Sequence, residues 1–139
     1  MTELQTTLTQ PSSIPLVESF LEALRALDVE RALGMLSDDI VYQNVPLPPD
    51  RGKRAVERTL RRMMKVVTEF DVRMHNIAER DGVVLTERTD IGRGPLLDVE
   101  IWVCGTFEVA NGKITLWRDR FDLASLLLQL ATSPLRRLL

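Results

Sequence analysis

Residues 81–123 read DGVVLTERTDIGRGPLLDVEIWVCGTFEVANGKITLWRDRFDL, and this stretch decides the fold class. Asp81-Gly82 and Asn111-Gly112 are turn dipeptides of the hairpin kind, whose residues tolerate the positive φ of tight β-turns. The segments between them are rich in Val, Ile, Leu, Thr and aromatics. The pattern predicts a strand over Val83–Ile91, a break at Gly92-Arg93-Gly94-Pro95, a long strand over Leu97–Val109 and a last strand over Lys113–Leu123. Phe70–Ala78 alternates well enough to be the strand that enters the first turn. Successive strands joined by hairpin turns pair antiparallel.

Upstream the periodicity changes from two to helical. Leu16, Phe20, Leu24 and Leu27, with Leu21 beside them, predict a helix over Ile14–Leu27, capped by Ser12 or Ser13. Asp28 reads as the N-cap of a second short helix through Leu36. Ile40–Val45 reads as a strand that the Pro46-Leu47-Pro48-Pro49-Asp50 stretch must leave, because proline donates nothing to a ladder. Gly52 to about Met64 predicts a third helix, with Arg54, Arg58, Arg61 and Arg62 on one side and apolar residues on the other. After the last strand, Ala124–Leu130 predicts an apolar helix ended by Pro134, with Leu135–Leu139 as a loose tail or an interface. Helices followed by an antiparallel-rich sheet argue α+β, with the helices covering one face of a curved sheet. A sheet wrapped around helices forms a cone with a cavity inside. Residues 1–12 read as a disordered tail. Residues 13–139 read as a single domain, since neither an internal repeat nor a linker divides them.

The chain has 139 residues, 45% of them hydrophobic and 27% charged, which is enough for a core without staples. Its formal net charge is -2, with both signs mixed along the chain, so neither a nucleic-acid footprint nor a polybasic membrane patch is expected. No signal-peptide pattern opens the sequence and no run reaches membrane-span length, which points to a cytoplasmic protein without a membrane partner. Cys104 sits in the apolar run Ile101-Trp102-Val103-Cys104 and is expected to be a buried hydrophobe.

Many familiar chemistries find no residues here. The one histidine, His75, has no evident partner and reads as a partly exposed structural residue. Without a Cys/His cluster no metal site is expected, and without a Gly-x-Ser-x-Gly elbow or a phosphate loop no serine hydrolase or nucleotide site. Catalysis would have to come from carboxylates, Arg, Tyr and amides. Three polar insertions interrupt apolar strands: Tyr42-Gln43-Asn44, Glu87-Arg88-Thr89-Asp90 and Trp117-Arg118-Asp119-Arg120-Phe121-Asp122. Strand parity puts Tyr42 with Asn44, Arg88 with Asp90, and Asp119 with Trp117 and Phe121. Arg118, Arg120 and Asp122 fall on the opposite face. Each insertion alone has an ordinary structural explanation, as an exposed ion pair or a paired buried acid. Polar groups set among apolar neighbours on three strands are costly to bury unless they serve one another.

These same stretches carry a resemblance. Tyr42-Gln43-Asn44-Val45-Pro46-Leu47-Pro48-Pro49, Thr86-Glu87-Arg88-Thr89-Asp90 and Gly112-Lys113-Ile114-Thr115-Leu116-Trp117-Arg118-Asp119 resemble the hallmark stretches of limonene-1,2-epoxide hydrolases, at the family's spacing. Trp102-Val103-Cys104-Gly105 is most similar to mycobacterial members. The resemblance implies the cone-shaped α+β fold that this family shares with ketosteroid isomerases, scytalone dehydratase and SnoaL-type polyketide cyclases. It implies a homodimer packed through the sheet and no cofactor. It also implies a site of Tyr42, Asn44, Arg88, Asp90 and Asp119, with apolar walls from Leu21, Leu24, Val67, Val72, Ile101, Val103 and Phe121. The implied substrates are water and a small apolar epoxide, with Asp119 as base, Asp90 as acid and Arg88 between them. Arg120 stands where relatives often have tyrosine, and parity assigns it to the outer face. Two other readings compete on the same fold: an isomerase or cyclase, and a non-catalytic module for an apolar metabolite. An isomerase has no need of an arginine bridging two acids, and a binding module would show no turnover.

Overall fold

The computed structural model describes residues 11–139. The expected tail therefore lies outside the described residues, save for its last two. Of these, Ser12 donates its hydroxyl to Glu79 at 2.8 Å.

The helical half opens with α1 (Ile14–Arg25), which has a proline in its first turn, where the missing N–H goes unneeded. Val17, Phe20, Leu21, Ala23 and Leu24 form its buried face. It stops two residues short of Leu27, which adopts φ 57°. Asp28 caps α2 (Val29–Gly34) by accepting from the Arg31 N–H at 3.0 Å. This helix ends before Leu36, which instead begins β1 (Leu36–Val45) through pairing with Ile114. A two-residue strand, β2 (Asp50–Arg51), precedes α3 (Lys53–Met63), whose buried residues are Val56 and Leu60.

The sheet half comprises β3 (Glu69–Arg80), β4 (Val83–Gly94), β5 (Leu97–Ala110) and β6 (Lys113–Arg120). Both predicted hairpin turns are present, with Asp81 and Asn111 at φ near 50° and the following glycines also positive. The six strands run in the order β2-β1-β6-β5-β4-β3. Only the β1–β6 pair is parallel, so the sheet is mixed and the first strand returns beside the last. Helix α1 packs on the concave side, where Phe20 meets Trp117 edge-on at 4.9 Å and Phe107 at 6.2 Å. The α+β class and the curved sheet around helices are as the sequence implies.

Four further local expectations are corrected. Strand β4 does not break at Gly92 but runs to Gly94, which pairs with Leu97. A Cβ at Gly94 would collide with the Val66 carbonyl, so glycine there lets the chain leaving α3 lie against the strand. The last strand stops at Arg120 rather than Leu123, because Asp122 accepts from the Ser125 N–H at 3.1 Å and caps α4 (Leu123–Leu138). That helix continues through Pro134, and Arg137 fastens its last turn to the Gly94 carbonyl at 3.1 Å. Cys104 is exposed, not buried. An apolar run on a strand still alternates, and parity turns Trp102 and Cys104 outward while Val103 and Gly105 face in.

Candidate active site

The concave face of the sheet is best followed in rows set by strand register. One row holds Tyr42 on β1, Trp117 on β6, Phe107 on β5 and Val84 on β4. All four are buried, and the Tyr42 ring stacks on the Trp117 indole at 3.8 Å between centroids. The next row holds Asn44, Asp119, Gly105 and Thr86 on the same four strands. Arg88 and Asp90 follow on β4, paired with Val103 and Ile101. The period of two thus turns every polar site residue inward over an aromatic floor.

Arg88 joins these rows. Its side chain is 1% exposed, which demands that its charge be matched. The Nε–H donates to Asp90 Oδ1 at 2.8 Å and Nη2 to Asp90 Oδ2 at 3.1 Å, a bidentate fork. Nη2 also donates to Asp119 Oδ2 at 2.8 Å, and Nη1 donates to the Thr86 hydroxyl at 2.9 Å. Asp119 Oδ2 accepts a further bond from the Trp117 Nε1–H at 3.1 Å. Asp119 Oδ1 is buried and accepts nothing from the described residues. At the edge of the site the Asn44 amide donates to the Tyr42 hydroxyl at 2.8 Å, which leaves the phenolic hydrogen available to another acceptor.

Burial dominates the electrostatics. Desolvation pushes Asp90 up to about 6, against the lowering effect of Arg88 and with a smaller raising contribution from the Asp119 charge. Desolvation likewise raises Asp119, although Arg88 and the Trp117 indole oppose it. Tyr42 is raised by burial and by the Asp119 charge, so it stays a neutral phenol and a donor. The physical picture is two acids that hold protons above the ordinary carboxylate range around one permanent cation.

The cavity above these groups has a volume of about 330 Å³. The five polar positions singled out in the sequence bear on it together, and Leu21, Leu24, Val67, Ile101, Val103 and Phe121 stand in its wall. Val72 does not; it packs against the hydrophobic core instead. Sequence reasoning missed Met63, Met64 and Val66 at the end of α3, and Leu126 and Leu130 on α4. The missed signal on α4 was the Asp122-x-x-Ser125 cap, which starts that helix close enough for its first turns to roof the cavity. His75 stands apart on the outer face, where its ring bonds Thr89 at 2.7 Å and stacks on Trp102. Among the described residues no group of three or more His, Cys, Asp or Glu side chains could hold a metal ion. No helix among them is long and apolar enough to cross a membrane.

Comparison with known proteins places the chain in a family. The limonene-1,2-epoxide hydrolase catalytic-domain model matches residues 11–132. The epoxide hydrolase EphG of Mycobacterium tuberculosis is 50% identical over 107 residues, covering 76% of this chain and 70% of that protein. The structure of an M. tuberculosis epoxide hydrolase like the limonene enzymes superposes with a TM-score of 0.80 at 42% identity, covering 91% of this chain and 94% of that one. A SnoaL-like polyketide cyclase fold from Shewanella denitrificans superposes equally well, at 0.80, but with 20% identity over 88% of this chain and 99% of that one, and so speaks for the fold alone. The chain is an epoxide hydrolase by class and belongs to the limonene-1,2-epoxide hydrolase family.

Proposed function

We propose that this enzyme adds water to an apolar epoxide in one step, without a cofactor and without a covalent intermediate, to give a vicinal diol. The observation that carries the proposal is Arg88 holding Asp90 and Asp119 at the floor of one apolar cavity. An epoxide oxygen leaves poorly unless protonated, and water attacks poorly unless deprotonated, so the reaction wants an acid and a base at once. With both acids ionised around one guanidinium the site would carry a net negative charge in apolar surroundings. Keeping one proton between the two carboxyls removes that penalty and supplies the state that the reaction needs.

Asp119 is the base in this mechanism. The bound water donates one hydrogen to Asp119 and the other to the Asn44 amide oxygen, and accepts from the Tyr42 hydroxyl. That leaves a lone pair free for the epoxide carbon, and the fixed orientation lowers the entropic part of the barrier. As the new C–O bond forms, Asp119 takes the water proton. The ring C–O bond breaks at the same time, and its electron pair receives the proton of Asp90. One proton has then moved from Asp90 to Asp119 by way of substrate and water, and it returns before the next turnover.

Terpene, lipid and steroid-like epoxides all suit a wall of Leu, Met, Val and Ile. The direct test is diol formation from limonene, cyclohexene and styrene oxides by purified protein, beside Asp119→Asn. Turnover by the native chain and none by the variant supports the assignment; an active Asp119→Asn variant overturns it.

We also infer that two copies associate through the outer sheet face. Trp102 is 54% exposed there and Leu85 53%, large apolar side chains that a partner face would cover. A dimer in solution that Trp102→Glu converts to a monomer would support this; a native monomer would refute it.

A further inference from the structure

Arg88 starts on β4 and meets Asp119 on β6, with β5 lying between. Neighbouring strands are about 4.8 Å apart, so the side chain must pass over β5 to reach its partner. The residues that β5 presents inward along this stretch are Ile101, Val103, Gly105 and Phe107, and only Gly105 has no side chain. Gly105 is in register with Asp119 on one side and with Thr86 on the other. A Cβ built there would collide with Arg88 Nη1, and would lie 2.7 Å from the Thr86 hydroxyl and 2.8 Å from Asp119 Oδ1. Its φ is not in the left-handed region, so backbone conformation does not require glycine. The need is for room.

Thr86 completes the arrangement from the far side. Its hydroxyl is buried and accepts from Arg88 Nη1 at 2.9 Å, on the edge of the guanidinium that neither carboxylate engages. Without it that edge would be a buried donor with no partner, and the plane could tilt away from Asp119.

We propose that Gly105 and Thr86 are positioning residues for the reaction: Gly105 is the passage through which the guanidinium crosses β5, and Thr86 is the anchor that fixes its plane across both carboxylates. Neither residue touches the substrate in this role. Both act through Arg88, and the inference rests on the acid/base reading given above.

The test compares Gly105→Ala, Thr86→Val and Thr86→Ser, with styrene oxide as substrate. Gly105→Ala should lower kcat by about 10²-fold, the scale of an ångström-level misplacement. Thr86→Val should lower it by about tenfold, one hydrogen bond's worth, while Thr86→Ser keeps near-native turnover. Arg88 lowers the proton affinity of Asp119, so moving it away should shift the acidic limb of the kcat/KM profile to higher pH in Gly105→Ala and Thr86→Val. A merely structural defect would reduce the amount of active protein without moving that limb. Native kcat and an unshifted limb in Gly105→Ala, or identical behaviour of Thr86→Val and Thr86→Ser, would overturn the proposal. Should Gly105→Ala not fold, the Thr86 pair decides alone. Carboxyl titration of Asp119 by NMR reads the same displacement without turnover. A native enzyme inert to epoxides would therefore sink the proposed function, while an unshifted Asp119 in the variants would sink this inference.

Discussion

Arg88 Nη2 lies 2.8 Å from Asp119 Oδ2, although a whole strand separates the residues that carry them. The same nitrogen reaches Asp90 at 3.1 Å, so one guanidinium nitrogen ties the proposed acid to the proposed base. The guanidinium keeps two buried carboxyls close beneath a cavity walled mostly by apolar side chains.

Asp119→Asn keeps the shape of the side chain and removes its basicity. We expect kcat to fall by about 10³-fold, within the usual contribution of a positioned acid or base. Circular dichroism and the melting temperature should show a folded protein. Preserved activity would remove Asp119 from the role of base.

The pH dependence has a definite sign. Asp90 binds its proton more tightly folded, at about 6, than an ordinary aspartate does near 3.9. Its contribution to stability is therefore full below about pH 4 and is lost as pH rises to about 6, amounting to roughly 3 kcal/mol at most. Chemical denaturation of the native protein and of Asp90→Asn across this range isolates the effect: the native protein should lose ground to the variant up to about pH 6, then level off. In the free enzyme kcat/KM should fall on the alkaline side as Asp90 loses the proton that the epoxide oxygen requires. A stability difference that is flat between pH 4 and 6 would contradict the assignment.

Arg88→Met replaces the cation by an apolar chain of similar length and leaves two buried acids facing each other. Removing one partner of a buried ion pair typically costs about 3–5 kcal/mol, and the loss should be largest at high pH, where both acids ionise. Because Arg88 lowers Asp90, the Asp90 titration should move upward in this variant. An unchanged titration by carboxyl NMR would mean that the two groups do not interact as their 2.8 Å contact indicates.

The α4 residues Leu126 and Leu130 line the cavity, and Leu130 is also 41% exposed, which places it at the rim. Leu130→Ala should open the site. Turnover of bulky epoxides should rise relative to cyclohexene oxide, and Leu126→Phe should do the reverse. Unchanged ratios over a graded panel would mean that α4 does not bound the substrate.

The sequence made the site legible because strand parity is rigid. Once Tyr42, Arg88 and Asp119 are on strands, period two decides which neighbours share their face, and the hairpin turns at Asp81-Gly82 and Asn111-Gly112 pair β3 with β4 and β5 with β6. Parity also applied to Cys104, but its apolar neighbours suggested burial on a face that this chain leaves uncovered. Other features lay beyond local pattern. Val72 is the register partner of Asp90 yet packs into the core, because the curvature of the sheet decides what reaches the cavity. The roof from α4 depended on a cap at Asp122 hidden in a stretch that also reads as strand. The crossing at Gly105 needs the three-strand register, which no single segment specifies.

The most direct measurement is a single turnover in heavy-oxygen water, with enzyme in excess over the epoxide. One-step addition predicts that the first diol carries the heavy oxygen and that neither Asp90 nor Asp119 does. An unlabelled first diol, with heavy oxygen recovered in either carboxyl, would show that an aspartate attacked the ring and would contradict the mechanism.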